Sequence, residues 1–243
     1  MKVNITLSTG RIFNSKKEAL KHFKDMLHRY SDGDRIQSPD NQDLSGLLNR
    51  YDSFIDRGCS KIGAGISHFS RKRNVFNGFS SPSFWVHRVD GSSTDFSYIT
   101  AINGKEQTVE HDFTRACRAA VNDDLIAAKR LFFSKNKDVH CELTGVPIHF
   151  KNAHLDHAWP TFAQIVDGFK AARGWSKEIP EDVLTKPTDA QTQDSFSSAL
   201  VAEDFRKYHH TVAVLRFVKD KVNLSMASGQ RKPVIKNPVM LHL

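Results

Sequence analysis

Three short segments rich in β-forming residues constrain the fold of the first half of the chain. They lie at residues 66–69, 83–89 and 94–100, and Asp90 and Gly91 join the last two. β-branched and aromatic residues are typical of strands, and an Asp-Gly dipeptide is typical of tight hairpin turns. The pattern therefore predicts an antiparallel meander.

Two amphipathic helices are predicted before this meander. Ser15 and Glu18 form a capping box ahead of apolar residues at helical spacing, which predicts a helix over residues 16–30. A second amphipathic segment begins at a capping residue, Asp43, and ends near Gly58. We expect both helices to pack on the meander.

The second half of the chain is predicted to mix helices with short strands. Apolar spacing indicates one long helix over 109–133, or two helices broken near residues 122–124, joining the two domains, and further helices over 161–173 and 198–218. Residues 139–150 indicate a hairpin or looped strand, and residues 155–159 are its predicted partner.

Length and charge narrow the classes of function. A chain of 243 residues can bury two separate cores, and we predict an α+β protein with domains at 1–118 and 119–243. Its 35 lysines and arginines exceed its 27 acidic residues, and the resulting net charge of +8 suits a phosphate-rich partner. An ordinary basic protein with another function is the competing interpretation.

The number and spacing of cysteines, together with hydropathy, indicate the cellular compartment. The chain has three widely spaced cysteines and no C-x-x-C pair, so we expect neither a disulfide framework nor a four-cysteine zinc site. No segment approaches the roughly 20 apolar residues that a membrane span requires, and the first residues lack a secretion signal. The sequence predicts a cytoplasmic protein without structural zinc or a membrane partner.

The segment His154–His157, with the sequence His-Leu-Asp-His, most clearly indicates chemistry, and Ala158–Pro160 follows it. An adjacent Asp and His at the end of a strand point to opposite faces. One can hold a divalent cation while the other takes a proton from water, and phosphodiester hydrolysis needs both functions. We interpret the segment as the centre of a nuclease site, and a surface strand end is the alternative.

The order and spacing of three segments resemble the HNH, or ββα-metal, nuclease family. These segments are Cys141–Gly145, His154–Pro160 and Leu215–Ser225. The resemblance implies a ββα-metal nuclease fold with an insertion in the second domain. It also implies that Asp156 and Asn223 hold a metal ion and that His157 is the general base. The paired zinc-binding cysteines common in that family are absent from the sequence.

The middle residue of the family's catalytic triad has two candidates, His209 and His210. A neutral imidazole at this position could orient His157, bind the scissile phosphate or protonate the leaving oxygen. We favour His209, and two histidines on a helix surface are the alternative. The expected cofactor is one Mg²⁺ or Mn²⁺ ion, because hard oxygen ligands suit hard ions.

The first domain resembles the DCL-type domain of plant and bacterial proteins, named for defective chloroplasts and leaves. The segments that carry the resemblance are Arg11–Ser15, Asp43–Leu48, Gly65–Phe69, Phe84–Gly91 and Asp95–Tyr98. The resemblance implies a module that binds nucleic acid or confers specificity, rather than a second enzyme.

Two groups of cations are candidate contacts to nucleic acid. Arg71, Lys72 and Arg73 lie near Trp85 and other aromatic residues, a pattern typical of phosphate contact combined with base stacking. An ordinary solvated charge run is the alternative for this group. The second group surrounds the predicted nuclease site in sequence and comprises Arg206, Lys207, Arg216 and Lys221.

Together these patterns predict a metal-dependent endonuclease that cuts double-stranded DNA at specific sites, as restriction enzymes do. Cutting both strands of a symmetric site favours a homodimer. A non-catalytic nucleic-acid-binding protein and an RNA-directed nuclease are the alternatives.

Overall fold

The computed structural model describes residues 4–54, 60–76, 79–104, 108–186, 195–220, 222 and 235–241. The chain divides into two compact units, and the first break lies between Thr108 and Val109. The predicted domain boundary after residue 118 falls instead inside a long helix that starts at Val109. The division lies earlier because Phe113 and Cys117 of this helix are buried in the core of the second unit.

The described residues of the first unit form three helices and a three-stranded sheet, with a small strand pair at the start. Its elements are β1 (Ile5–Thr6), β2 (Ile12–Phe13), α1 (Lys16–Arg29), α2 (Asp40–Asp52), β3 (Ile66–Phe76), β4 (Phe79–Arg88), β5 (Ser93–Phe96) and α3 (Tyr98–Asn103). Strands β3, β4 and β5 are antiparallel neighbours in that order. The observed sheet is the predicted meander.

Two helix boundaries in this unit differ from the prediction. Helix α2 begins at Asp40, and Asp43 lies inside it, where its buried carboxylate binds Arg11 and His22 at 2.7 and 2.8 Å. The third predicted strand ends at Phe96, because the Ser97 hydroxyl accepts a hydrogen bond from the Thr100 amide and starts α3. The hydrogen bond between Ser97 and the Thr100 amide thus replaces the end of the predicted strand with the first turn of a helix.

The core of the first unit lies between the inner face of the sheet and the helices. Phe69, Phe84 and Phe96 of the sheet are buried with Phe23 and Met26 of α1. Each fully buried side chain of this size stabilises the fold by about 1.5–3 kcal/mol relative to an exposed one. Because side chains alternate along a strand, the opposite face of the sheet lies outside this core.

The second unit is built around one long helix and a two-stranded sheet. Its elements are α4 (Val109–Lys135), β6 (Val139–His140), β7 (Pro147–Ile148), β8 (Ala153–His157), α5 (Phe162–Ala172), α6 (Ala199–Val212) and β9 (Leu215–Lys219). Strands β6 and β7 form the predicted hairpin. Helix α5 begins with a capping box, in which Thr161 and Gln164 each bind the other's backbone amide.

The partner of β8 differs from the prediction. Strand β8 pairs with β9, which lies far along the chain, and not with the β6–β7 hairpin. The helix predicted over 198–218 stops at Val212, and residues 215–218 form a strand in which all four residues are buried. A continuous buried run is compatible with either structure in sequence, so its spacing does not exclude a strand.

Both units combine helices with antiparallel strands, which confirms the predicted mixed α+β class. Among the described residues, no helix is both long enough and apolar enough to cross a membrane.

Candidate active site

Strand β8 places Asp156 in a buried ion pair. Asp156 lies directly opposite Arg216 on β9, and its Oδ2 atom accepts hydrogen bonds from Arg216 Nη2 and Nε at 3.0 and 3.1 Å. The two residues are 3% and 0% exposed, so neither charge has appreciable contact with water. A buried charge needs such a partner, because removal from water costs several kcal/mol per ion.

The ion pair between Asp156 and Arg216 involves one of the two predicted metal ligands. The carboxylate that was expected to bind Mg²⁺ or Mn²⁺ is engaged by Arg216, and Asn223 lies outside the described residues. In the described part of the chain, no three His, Cys, Asp or Glu side chains are grouped as metal ligands. Among the described residues, Arg216 thus holds the carboxylate of Asp156, and a full set of ligands for the expected ion is not assembled.

His157, the next residue on β8, joins a second buried arrangement. Its Nε2 atom lies 2.8 Å from His209 Nε2, and His209 Nδ1 lies 3.2 Å from His210 Nδ1. His210 Nε2 is 3.1 Å from Asp124 Oδ2 on α4. We call His157, His209, His210 and Asp124 the histidine network. Helix α6 supplies its two central rings, and β8 and α4 supply its ends.

The hydrogen bonds of the histidine network assign its tautomers when Asp124 is ionised and the three rings are neutral. A carboxylate only accepts, so His210 Nε2–H donates to Asp124 and His210 Nδ1 must accept. His209 Nδ1–H therefore donates to His210, and His209 Nε2 accepts a hydrogen bond from His157 Nε2–H. Neutral His157 thus carries its one proton on Nε2, and its Nδ1 atom is unprotonated and can accept a proton.

Burial favours the neutral form of His209, which lies between His157 and His210. His209 is fully buried, and burial together with the neighbouring His210 lowers its pKa from 6.5 to about 4, against an opposing effect of Asp124. The ring of Phe162 packs edge-on against His157 with centroids 5.1 Å apart, and Phe205 packs 6.0 Å from His209. The aromatic surroundings therefore disfavour a resting positive charge on His209.

The histidine network ends at an open surface. Asp124 and His210 line a cleft of about 630 Å³ whose walls also include Leu131, Lys135 and Met240. Arg206 binds Asp124 through Nε at 2.8 Å and Nη2 at 3.1 Å, and this carboxylate raises the pKa of Arg206. A proton that reaches Asp124 can therefore leave to solvent.

The cations predicted around this site occupy different environments. Arg206 is engaged by Asp124 and by Glu203, and Lys207 is exposed with its Nζ atom 3.9 Å from Glu203. Arg216 is fully buried against Asp156, which corrects its predicted role because a buried guanidinium cannot reach a nucleic acid. Lys221 lies outside the described residues.

The cations predicted in the first unit are split between the two sheet faces. Arg71, Lys72 and Arg73 are consecutive on β3, so Lys72 points away from the other two. Arg71 pairs with Asp32, and Arg73 donates from Nε to Ser80 Oγ at 2.6 Å. Lys72 instead lies over the indole ring of Trp85, with Nζ 5.1 Å from its centroid. These three residues are thus not one patch.

Sequence reasoning missed two residues near the histidine network. Asp124 was interpreted only as part of a polar break in the long helix, whereas α4 is continuous and Asp124 binds His210. Arg118, one and a half turns earlier on α4, lies 4.5 Å from the centroid of Phe162, the ring that packs on His157. Arg118 and Asp124 are six residues apart, which does not place them on one face of α4, and no local pattern relates either to His157.

Comparison with known proteins identifies similarity in the first unit. Residues 24–102 match a family model described as a protein of unknown function, DUF3223. A solution NMR structure of an uncharacterised protein from Rhodospirillum rubrum is 32% identical, covers 42% of this chain and 89% of that chain, and has a TM-score of 0.35. No curated protein matches the chain.

These findings correct both family resemblances. The matched family has no known function and covers residues 24–102, and neither an HNH nuclease nor a DCL-type domain is among the matches. The resemblance to HNH nucleases was carried by short segments, and the structure pairs the carboxylate of one of them with Arg216. The assignment of the chain to either family is therefore wrong.

Proposed function

We propose that the second unit is an endonuclease that hydrolyses phosphodiester bonds, with His157 as its general base. The observation that carries the proposal is the histidine network, whose hydrogen bonds leave His157 Nδ1 as a proton acceptor. A neutral imidazole is suited to this role, because its ordinary pKa of about 6.5 lies near physiological pH. The proposal rests on the geometry of these side chains and not on membership of a nuclease family.

The network supplies a route for the proton. As the oxygen of a water molecule bonds to phosphorus, His157 Nδ1 takes its proton and passes the Nε2 proton to His209. His209 passes its Nδ1 proton to His210, and His210 passes its Nε2 proton to Asp124, which releases it into the cleft. The bond from phosphorus to the leaving 3′ oxygen breaks, and that oxygen takes a proton from solvent.

Charge supports a nucleic acid as the substrate. The chain has a net charge of +8, which attracts a polyanion over long distances. Arg118 is exposed on α4 beside the ring that contacts His157, so its guanidinium is suitably located to bind a substrate phosphate. Double-stranded DNA, site-specific cleavage and a homodimer remain our predictions for the partner and assembly.

The expected location is the cytoplasm. Cys117 and Cys141 are buried free thiols, which suits a reducing compartment. Dependence on Mg²⁺ or Mn²⁺ also remains a prediction, and the experiment below tests it separately from the role of His157.

Incubation of the purified chain with supercoiled plasmid, in Mg²⁺, in Mn²⁺ and in EDTA, tests the proposal. The informative variant is His157→Gln, because its amide can still donate to His209 but cannot take a proton. We expect cleavage by the wild type to fall by about 100-fold or more in this variant, as for loss of a general base. His149→Gln, at an exposed position before β8, is the matched control and is expected to cleave normally.

Three outcomes would count against the proposal. Full activity of His157→Gln would remove His157 as the base. Retardation of intact plasmid under all conditions would favour the non-catalytic binding protein. Cleavage of a single-stranded RNA, but not of plasmid, would replace DNA by RNA as the substrate while the role of His157 is retained.

A further inference from the structure

The outer face of the sheet in the first unit carries an aromatic and cationic surface. Over residues 68–74 of β3 and 81–87 of β4, the residues that alternate with the buried Phe69, Phe84 and Val86 form this face. We call it the outer sheet face, and it comprises His68, Ser70, Lys72 and Asn74 of β3 and Ser81, Ser83, Trp85 and His87 of β4. In these two ranges the face has no aliphatic side chain.

Three of its aromatic rings are adjacent. His68 and His87 are directly opposite on the paired strands, and their rings are stacked with centroids 4.3 Å apart and planes within 1°. Trp85 is the next outward residue of β4, opposite Ser70. The three rings therefore lie side by side in a strip on one face of two neighbouring strands.

Hydrogen bonds hold these rings in place. His87 Nε2 is 2.9 Å from the Ser70 hydroxyl, and Trp85 Nε1 donates to Asn74 Oδ1 at 3.2 Å. Asn74 in turn donates to Asp95 Oδ2 on β5 at 2.5 Å. A ligand that stacks on this strip would need to immobilise few side chains, which lowers the entropic cost of binding.

Cations flank the strip. Lys72 lies over Trp85, and the exposed Arg35 is bridged to Ser70 at the edge of β3. Partial burial lowers the pKa of both His68 and His87, and it is aided by Arg35 and Lys72 at His68 and by Lys72 and His68 at His87. Both rings are thus neutral near pH 7, and two stacked rings of this kind do not repel each other.

We infer that the outer sheet face binds single-stranded nucleic acid, with unpaired bases stacked on Trp85 and the His68–His87 pair and phosphates near Lys72 and Arg35. Aromatic rings beside cations on an open sheet face suit this ligand, because every base offers a flat face and every linkage carries a negative charge. A protein or lipid partner would be favoured by aliphatic side chains, which this part of the face lacks.

The inference is independent of the function proposed for the second unit. Cleavage and binding involve different residues, so a catalytically inactive chain could still bind single strands. Measurements in EDTA with the full chain carrying His157→Gln, which removes the proposed base, therefore address binding alone.

Fluorescence anisotropy of end-labelled 12-nucleotide strands, oligo(dT) and oligo(U), tests the inference beside a labelled duplex of the same length. We expect both single strands to bind, and the duplex, which is the predicted substrate of the second unit, shows whether each variant affects single strands alone. Trp85→Ala is expected to weaken binding of the single strands by about fivefold or more, as for loss of one stacked base. His87→Ala provides a second variant should Trp85→Ala fail to fold.

The charge contribution is tested by the dependence of binding on salt. Lys72→Gln is expected to reduce the slope of log affinity against log salt by about 0.7, the value for one phosphate contact to a single strand. Lys17→Gln and His28→Ala, at exposed positions of α1, are the matched controls and should leave affinity and slope unchanged. Equal loss in variants and controls, or equal loss of duplex and single-strand binding in Trp85→Ala, would overturn the inference.

Discussion

Asp156 and His157 are neighbours on β8, but they lie in different electrostatic environments. Asp156 is fixed by two hydrogen bonds to Arg216, and both charges are buried. His157 faces a series of imidazole rings that ends at Asp124 and an open cleft. Asp156 and Arg216 are both charged and hold each other in that state. The neutral rings of the histidine network can instead each accept one proton and donate another. The comparison supports a structural role for Asp156, and the chemistry that we propose takes place on the side of β8 that carries His157.

A second comparison isolates the effect of burial. Asp156 and Asp124 each bind an arginine through two hydrogen bonds, Arg216 and Arg206 respectively. The side chains of the first pair are at most 2% exposed, whereas those of the second pair are 29% and 37% exposed. The same substitution at the two aspartates should therefore have very different consequences.

Asp156→Asn is expected to have the largest effect on stability. The change removes the negative charge and leaves the Arg216 guanidinium buried without its counter-ion. We expect the free energy of unfolding to fall by about 3–5 kcal/mol, measured by urea denaturation. If Asp156 were primarily a metal ligand, stability of the metal-free chain would instead be little changed or increased.

Two controls accompany this measurement. Asp167→Asn removes an exposed carboxylate that lies 3.1 Å from Lys170, and it should cost less than about 1 kcal/mol. The double variant Asp156→Leu with Arg216→Met removes both buried charges and should recover much of the lost stability, because no unpaired ion remains.

The pH dependence of stability should show the buried neutral state of His209. Its folded pKa of about 4 lies below the ordinary value of 6.5, so the unfolded chain binds a proton that the folded chain excludes between these values. The stability contributed by neutral His209 is fully present above pH 6.5 to 7 and is lost as the pH falls toward 4. The total loss is about 3 kcal/mol.

Urea denaturation at several pH values between 7 and 4 measures this loss. His209→Gln has no titrating ring, so its stability should fall less steeply than that of the wild type over this range. Identical slopes for the two proteins would show that His209 does not exclude a proton on folding.

Asp124→Asn should have the smallest effect of the three changes. The amide can still accept a hydrogen bond from His210, and water can solvate Arg206 at the mouth of the cleft. We expect a loss of about 1 kcal/mol or less in the free energy of unfolding. A loss as large as that of Asp156→Asn would remove the distinction between the buried and the open end of the second unit.

The sequence predicted the elements whose signals are local. The cap at Ser15 and the turn at Asp90–Gly91 mark real boundaries. The strand at 215–219 was predicted as the end of a helix, because an apolar run that is buried on all sides has the same appearance in both structures. Its pairing with β8 is a long-range contact that local patterns do not contain.

The candidate site shows the same limit. His157, His209 and His210 were selected from the sequence, and the structure brings their rings together, while their catalytic roles remain predictions. The partners that determine their chemistry are distant in sequence: Asp124 for His210, and Arg216 for the adjacent Asp156. The sequence does not show which residue Asp156 contacts. An ion pair at Asp156 could therefore not be distinguished from a metal ligand by sequence alone.

Nitrogen-15 NMR of the histidine side chains tests the central claim most directly, because the shifts of the two ring nitrogens report which one carries the proton. At pH 7 our account predicts protons on His157 Nε2, His209 Nδ1 and His210 Nε2, with His157 Nδ1 unprotonated. His157→Gln assigns the His157 signals by their loss. A proton on His157 Nδ1 in the neutral ring would contradict the role of this atom as the base.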